Sequence, residues 1–392
     1  MVFNDFYEIE VLVNKDILSI EPSGYSFQIE DSIHRTYPRT KFWLNDITGI
    51  MQEYLMTVEG LKYQISYGTT DTNKIVKASY VVTEDSLMET LTDGMLNGTV
   101  KIELLHEYFD VQEILSKAYT NRISLVVREL SNKYNFSSRT INGTGNQDTW
   151  YQMLCTDEEF IRHVLLPNAF ANDSFSTPFF FFIGIDNSFH WVHYKEMVDQ
   201  APVSELIYVP RSEVSSGSKN TIRSIQRVHV RPKAKRRGIF QVDYTNGNLL
   251  EDEDTIRDYP SSTGLLPLIE NGELQKDYLF QGYTERQQGR SENDKGVQSY
   301  TMKDSLFIDR FVVALPLNVE IRAGKVVTLD IRSYETDDGE QSSLLNRGKF
   351  LVESAKHSWD GTNQTGYTTA LISRKEINIP NSYIIRNQLM GA

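Results

Sequence analysis

The residues with chemistry to offer are few and scattered. His190 and His193 lie three apart in the aromatic run Phe189-His-Trp-Val-His-Tyr, and imidazole is a common metal ligand. On a strand, residues three apart face opposite sides, so one ion does not easily bind both. Cys155 is the single cysteine, which excludes an internal disulfide framework and a cysteine-based metal site. It sits in a helical pattern and is expected as a buried, inert thiol. Glu251-Asp-Glu-Asp is rich in carboxylates. Acid–base work, however, needs two carboxyls in differently tuned surroundings, and a run in a polar loop reads as a solvated or partner-facing patch. Trp191 with Tyr194 is the aromatic cluster where a glycan-hydrolysing cleft would be sought. There is no Gly-x-Ser-x-Gly elbow, no Gly-x-x-x-x-Gly-Lys-Ser/Thr phosphate loop and no His-Glu-x-x-His. The reading is of no catalytic residue, no cofactor and no metal site, and so of a protein that is not an enzyme.

Charge narrows the classes further. With 40 basic against 53 acidic residues the net charge is −13, which argues against a protein that grips a nucleic-acid backbone. The basic run Arg231-Pro-Lys-Ala-Lys-Arg-Arg lacks interleaved aromatics. It reads as an exposed loop between strands, or as a contact with an acidic neighbour in an assembly. No apolar run reaches the ~18 to 20 residues that span a bilayer, and Met1-Val-Phe-Asn-Asp-Phe lacks the pattern of a secretory signal. Synthesis on the cytoplasmic side is therefore expected. At 392 residues, 40% hydrophobic and 24% charged, the chain is a folded protein of two to four domains.

The elements that must position these residues are mostly strands. Residues 1–120 carry short strands at Tyr7 to Val13, Ile17 to Ile20, Tyr25 to Glu30, Phe42 to Asp46, Tyr54 to Val58, Leu61 to Gly68, Ala78 to Thr83 and Val100 to Glu107, the last after an Asn97-Gly98 turn. Residues 121–211 switch to an α/β pattern. A helix is expected over Ile123 to Tyr134 with Ser124 as N-cap, then a glycine-rich hinge at Asn142 to Asn146 and a short helix over Trp150 to Thr156. Thr156 with Glu159 forms a capping box, and Asp186-Asn-Ser turns a hairpin between Pro178-Phe-Phe-Phe-Phe-Ile and Phe189-His-Trp-Val-His.

The C-terminal third, residues 212–376, is β-rich again. Ile222 to Val230 alternates as a strand, and about 246–304 reads as an irregular polar insertion, with a helix possible over Lys295 to Leu306. Phe307 to Leu317 and Val319 to Arg322 form an apolar strand run that breaks at Ala323-Gly324. Lys325 to Arg332 follows at once, then a polar loop over Ser333 to Asn346. Lys349 to His357 and Gly366 to Arg374 flank the Asp360-Gly361 turn. Residues 377–392 are a short tail.

Arg322-Ala-Gly-Lys-Val-Val-Thr-Leu, Gly348-Lys-Phe-Leu-Val-Glu-Ser-Ala-Lys-His-Ser-Trp-Asp-Gly and Tyr367-Thr-Thr-Ala-Leu, in that order, resemble the last barrel of phage tail hub proteins. That family includes the T-even baseplate hub and the late-control tail proteins. Glu30-Asp-Ser-Ile, Lys41-Phe-Trp-Leu-Asn-Asp and Val58-Glu-Gly-Leu-Lys-Tyr-Gln-Ile-Ser-Tyr-Gly resemble its first barrel, and the helices with their aromatic hairpin resemble the α/β domain between. The resemblance departs at 231–237 and 377–392.

It implies an α+β, β-rich fold: two antiparallel β-barrel domains, an intervening α/β domain, and an insertion in the second barrel. It further implies a homotrimer in the virion tail baseplate, with six barrel units around a channel. Such a ring adapts the sixfold tail tube protein to the threefold central spike protein, touches other baseplate proteins, and lets DNA pass without specific binding. The alternatives are the hub of a secretion or extracellular contractile device, and a glycan-binding or glycan-degrading tail protein.

Overall fold

Strand follows strand because β-branched and aromatic residues alternate with polar ones along most of the chain. The computed structural model describes residues 7–13, 24–45, 62–69, 74–82, 99–109, 113–145, 147–171, 178–208, 220–229, 235–243, 249–255, 275–283, 306–307, 309–332 and 342–374. The first part contains β1 (Tyr7–Val13), β2 (Tyr25–Ser32), β3 (Arg39–Asn45), β4 (Lys62–Thr69), β5 (Lys74–Val82) and β6 (Thr99–His106). The middle part contains β7 (Leu115–Arg122), α1 (Ile123–Ser131), β8 (Ser138–Ile141), β9 (Gln147–Cys155), α2 (Asp157–Phe160), β10 (Phe179–Ile183), β11 (Ser188–His193) and α3 (Tyr194–Asp199). The last part contains β12 (Ser204–Tyr208), β13 (Ser224–His229), β14 (Lys235–Asp243), β15 (Leu249–Thr255), β16 (Gln275–Tyr283), β17 (Asp309–Pro316), β18 (Val326–Arg332), β19 (Ser342–Asp360) and β20 (Thr365–Arg374).

Among the described residues the two β-rich ends share one twelve-stranded sheet, in the order β1-β4-β5-β6-β3-β2-β19-β20-β17-β13, with β12 added through β18. The seam is β2 against β19, from Ser354↔Ser32 to Trp359↔Phe27. Two separate closed barrels are not what this strand order describes. Its path is open, and in the C-terminal part an isolated bridge between Ile207 and Thr221 brings the β12 end toward the β13 end. The 19 residues of β19 allow this continuity, because its first half pairs with β18 and its second half lies between β2 and β20.

Each end has its own core. On β2, Tyr25, Phe27 and Ile29 are buried while Ser26, Gln28 and Glu30 lie partly open, as period-two alternation demands. With Phe42, Tyr63, Ile65, Tyr67, Tyr80 and Ile102 they form one cluster. Phe311, Val313, Leu315, Val327, Leu329, Phe350, Val352 and Ile372 form another. A third gathers α1 with the aromatic hairpin, around Val127, Phe160, Phe181 and Trp191. Ile33, Phe180, Phe182, Met197, Phe307 and Leu351 form a fourth, drawn from all three parts of the chain.

Several expectations change. Trp150 to Cys155 lies in a strand, not a helix: β9 pairs with β7, and its alternation buries Trp150 and Gln152. Cys155 accordingly ends a strand and is half-buried. Ser124 does not cap α1, which begins directly from β7 at Ile123. The hydroxyl of Thr144 does that work from a distance, accepting the Ser124 N–H at 3.0 Å, while Ser124 Oγ accepts from Thr144 N at 3.3 Å. Val319 to Arg322 is a turn, closed by Ile321 N–H to Asn318 O and by Glu320 N–H to Asn318 Oδ1. Within about 246–304, expected as irregular, β15 and β16 flank β14 in a sheet of their own. The capping box at Thr156 and Glu159 is present as expected.

The expected strands at Ile17 to Ile20 and Tyr54 to Val58, most of the expected helix over Lys295 to Leu306, and the tail 377–392 lie outside the described residues.

Candidate functional site

The three parts of the chain meet at a polar junction under Ala323 and Gly324. Asp31, at the end of β2, is fully buried, and its Oδ1 accepts the Ala323 N–H at 3.1 Å. The next residue back, Arg322, pairs with Asp186 in the aromatic hairpin turn and donates from Nε to Val319 O at 2.8 Å. Asp186 accepts from Ser188 Oγ, which also meets His190 Nε2 at 2.7 Å. One turn therefore holds the N-terminal sheet, the hairpin and the C-terminal strands together.

The backbone at this turn is tailored to its neighbours. Gly324 has φ +77, and a Cβ there would lie 2.7 Å from Phe182 Cζ. Phe182 is itself fixed by stacking on His190, with ring centroids 4.7 Å apart. The glycine is thus required twice, by conformation and by space.

Burial sets the protonation states. It pushes the Asp31 carboxyl up to about 7, opposed by the Ala323 N–H and the Arg322 guanidinium. Oδ2 of Asp31 has no hydrogen-bond partner among the described residues. Burial also takes His190 down to about 4 and His357 down to about 4. His357 Nε2 donates to Ile321 O at 2.9 Å, so the ring is a neutral strut. Burial pushes Asp186 upward too, but the Arg322 charge and the Ser188 hydroxyl outweigh it and hold the carboxyl below its usual value.

A second set of buried charges pins β13, β17, β19 and β20. Glu353 is fully buried, takes Arg310 through two bonds of 2.7 Å and meets His34 Nε2 at 2.9 Å. Asp309 takes Arg227 at 2.8 Å and Arg374 at 2.9 Å. These carboxylates lie opposite bidentate or doubled guanidinium partners, the arrangement that makes a buried charge tolerable.

No family model matches the chain, and no curated protein matches its sequence. Solved structures do. The tail protein from Neisseria meningitidis MC58 superposes with a TM-score of 0.57 at 8% identity, over 95% of this chain and 97% of that one. The 43 kDa tail protein of prophage MuSo2 from Shewanella oneidensis gives 0.54 at 9% identity, over 94% and 98%. The chain has the fold of phage tail proteins. The expected resemblance to tail hubs is met at the level of architecture, and along nearly the whole length of both neighbours.

Against that tail fold, the residues singled out for chemistry fall apart into structural roles. His190 bonds Ser188, whereas His193 Nδ1 accepts the Glu196 N–H at 3.4 Å at the start of α3. Asp186, Ser188 and His190 contain the residue types of a hydrolytic triad in the wrong connection. The aspartate accepts from the serine and pairs with Arg322, instead of orienting the imidazole. Trp191 is fully buried in the hairpin cluster and Tyr194 is buried in the junction cluster, so the two do not form a cleft. Burial raises the Cys155 thiol above its usual value, which disfavours the thiolate.

Glu251 to Asp254 lies on β15 rather than in a loop, opposite β14 with Arg237↔Asp254 in register. Of the basic run, Lys235 to Arg237 opens β14, and 231–234 lie outside the described residues. Sequence reasoning did not find the Asp31, Arg322, Asp186 junction. The three are single charged residues far apart in the chain, and only the Ala323-Gly324 break hinted that a turn there was special.

Proposed function

We propose that the chain is a structural hub of a phage tail baseplate. It forms a homotrimeric ring that joins the sixfold tail tube protein to the threefold central spike protein and contacts other baseplate proteins. The observation that carries the reading is the end-to-end likeness to two phage tail proteins of similar length. The strand order supports it. Six strands, β1 to β6, lie on one side of the β2–β19 seam, and β12, β13, β17, β18 and β20 gather with β19 on the other. Two β-rich units per chain, at 1–120 and 212–376, give six around a trimer, and the α/β unit at 121–211 carries the threefold features.

In this reading the negative net charge reaches the lumen, so that DNA passes without electrostatic capture. A basic lumen in a structure of the ring would contradict that part. The buried, mispaired aromatic and carboxylate groups described above favour the hub over a glycan-degrading enzyme. The place of the protein is tested by gold-labelling a tagged chain in isolated tails. Label confined to the spike end of the tube agrees with the proposal, and label spread along the tube or missing from the particle refutes it.

A further inference from the structure

The β2–β19 seam carries an open trough of about 350 Å³ on the sheet surface. The register shows how it is built. Ser358 lies opposite Gln28 on one side and Tyr367 on the other, and Trp43 lies opposite Ser26 on the far side of β2. Small and neutral side chains, Ser26, Gln28 and Ser358, therefore make the floor. Trp43 and Tyr367 stand as walls three strands apart, roughly 14 Å by the usual strand spacing. Trp43 is half-buried and Tyr367 is 36% exposed, so both present ring surface to a ligand.

The chemistry of the lining selects the ligand. Among the described residues no lysine or arginine lines the trough, and Lys41, opposite Gln28, pairs with Glu103 at 3.4 Å, so these residues offer an anion no counter-charge. The one carboxylate among the described lining residues, Asp360, is taken up by its own turn. It accepts from Thr362 N at 3.0 Å and from Asn363 Nδ2 at 2.6 Å, so a cation finds no free acid. Ser358 Oγ is buried in the floor without a hydrogen-bond partner among the described residues, and such a group is costly unless something supplies one. Aromatic walls over a neutral hydroxyl and amide floor match a ligand with apolar ring faces and uncharged hydroxyls at its rim.

We infer that this trough is a binding site for a neutral saccharide chain, with Trp43 and Tyr367 stacking on the sugar rings and Ser358 and Gln28 bonding their hydroxyls. The inference stands apart from the hub reading, because it concerns one chain's sheet surface and requires only that this face stay open. It also places glycan contact far from Trp191 and Tyr194.

The test is calorimetric titration of the full chain with chitohexaose and with cellohexaose, N-acetylated and plain. Saturable binding of either, with Kd near about 0.1–1 mM, is expected for a shallow open site. Preference for chitohexaose would mark an acetamido glycan of the cell-wall type, and preference for cellohexaose a plain polysaccharide. Trp43→Ala and Tyr367→Ala are each expected to weaken binding at least ~10-fold, while Tyr367→Phe keeps it. Should Trp43→Ala lower the melting temperature, Gln28→Ala with the Tyr367 pair decides the matter. No saturable heat from either sugar at about 10 mM would overturn the proposal. So would unchanged affinity in all the alanine variants, or a wild-type chain that binds no sugar and changes oligomeric mass on Trp43→Ala, which would mark a subunit contact.

Discussion

At the scale of the residue, Asp31 ties the stability of the fold to pH. Its folded value of about 7 lies above the ordinary 3.8, so the folded protein favours the protonated acid. The stabilisation from that proton is complete below the unfolded value and is lost as pH rises through the folded one. Asp31→Asn keeps an acceptor for the Ala323 N–H without a titratable charge. It is expected to be as stable as wild type near pH 4 and more stable at pH 8, by up to roughly 4 kcal/mol in denaturant titrations. Equal stability of the two proteins across that range would show that Asp31 is not desolvated as described. At the adjoining turn, Gly324→Ala introduces a side chain at positive φ into the space of Phe182. A loss of about 2–4 kcal/mol is expected in the same titration, since the strained backbone and the displaced ring both contribute.

At the scale of the element, β19 is the member on which the rest depends. It passes from the β18 pairing to the β2 pairing in one strand, and the buried Glu353 lies in its middle. Arg310 on β17 and His34 just beyond β2 both reach that carboxylate, so one side chain ties the two ends of the chain. Glu353→Gln leaves Arg310 without its counter-ion, and about 3–5 kcal/mol of stability is expected to go. Restoration by Arg310→Met in the double variant would confirm that the unpaired charge, rather than lost packing, causes the damage.

The elements also show what the sequence made legible. The strands β2 and β17, the α1 stripe of Ile123, Val126, Val127 and Leu130, the Thr156–Glu159 box and the hairpin at Asp186 were readable because each is a local pattern. Trp150 to Cys155 was misread because a short run has no period long enough to tell helix from strand, and only its partner β7 decides. The pairing of β2 with β19 joins residues more than three hundred positions apart, and nothing local announces it. The trough at Trp43 and Tyr367 was hidden for the same reason, since its walls come from strands far apart in sequence.

At the scale of the whole molecule, the likeness to phage tail proteins fixes architecture, and ring assembly is the claim built on it. Among the described residues one sheet runs through both ends of the chain and joins them into one unit. The most direct test of the claim is the mass and rotational symmetry of the full chain in the presence of the proposed spike partner, by sedimentation and negative-stain class averages. Threefold rings with a central hole, containing three copies of the 45.1 kDa chain, are predicted. A chain that stays monomeric with the spike present would contradict the hub.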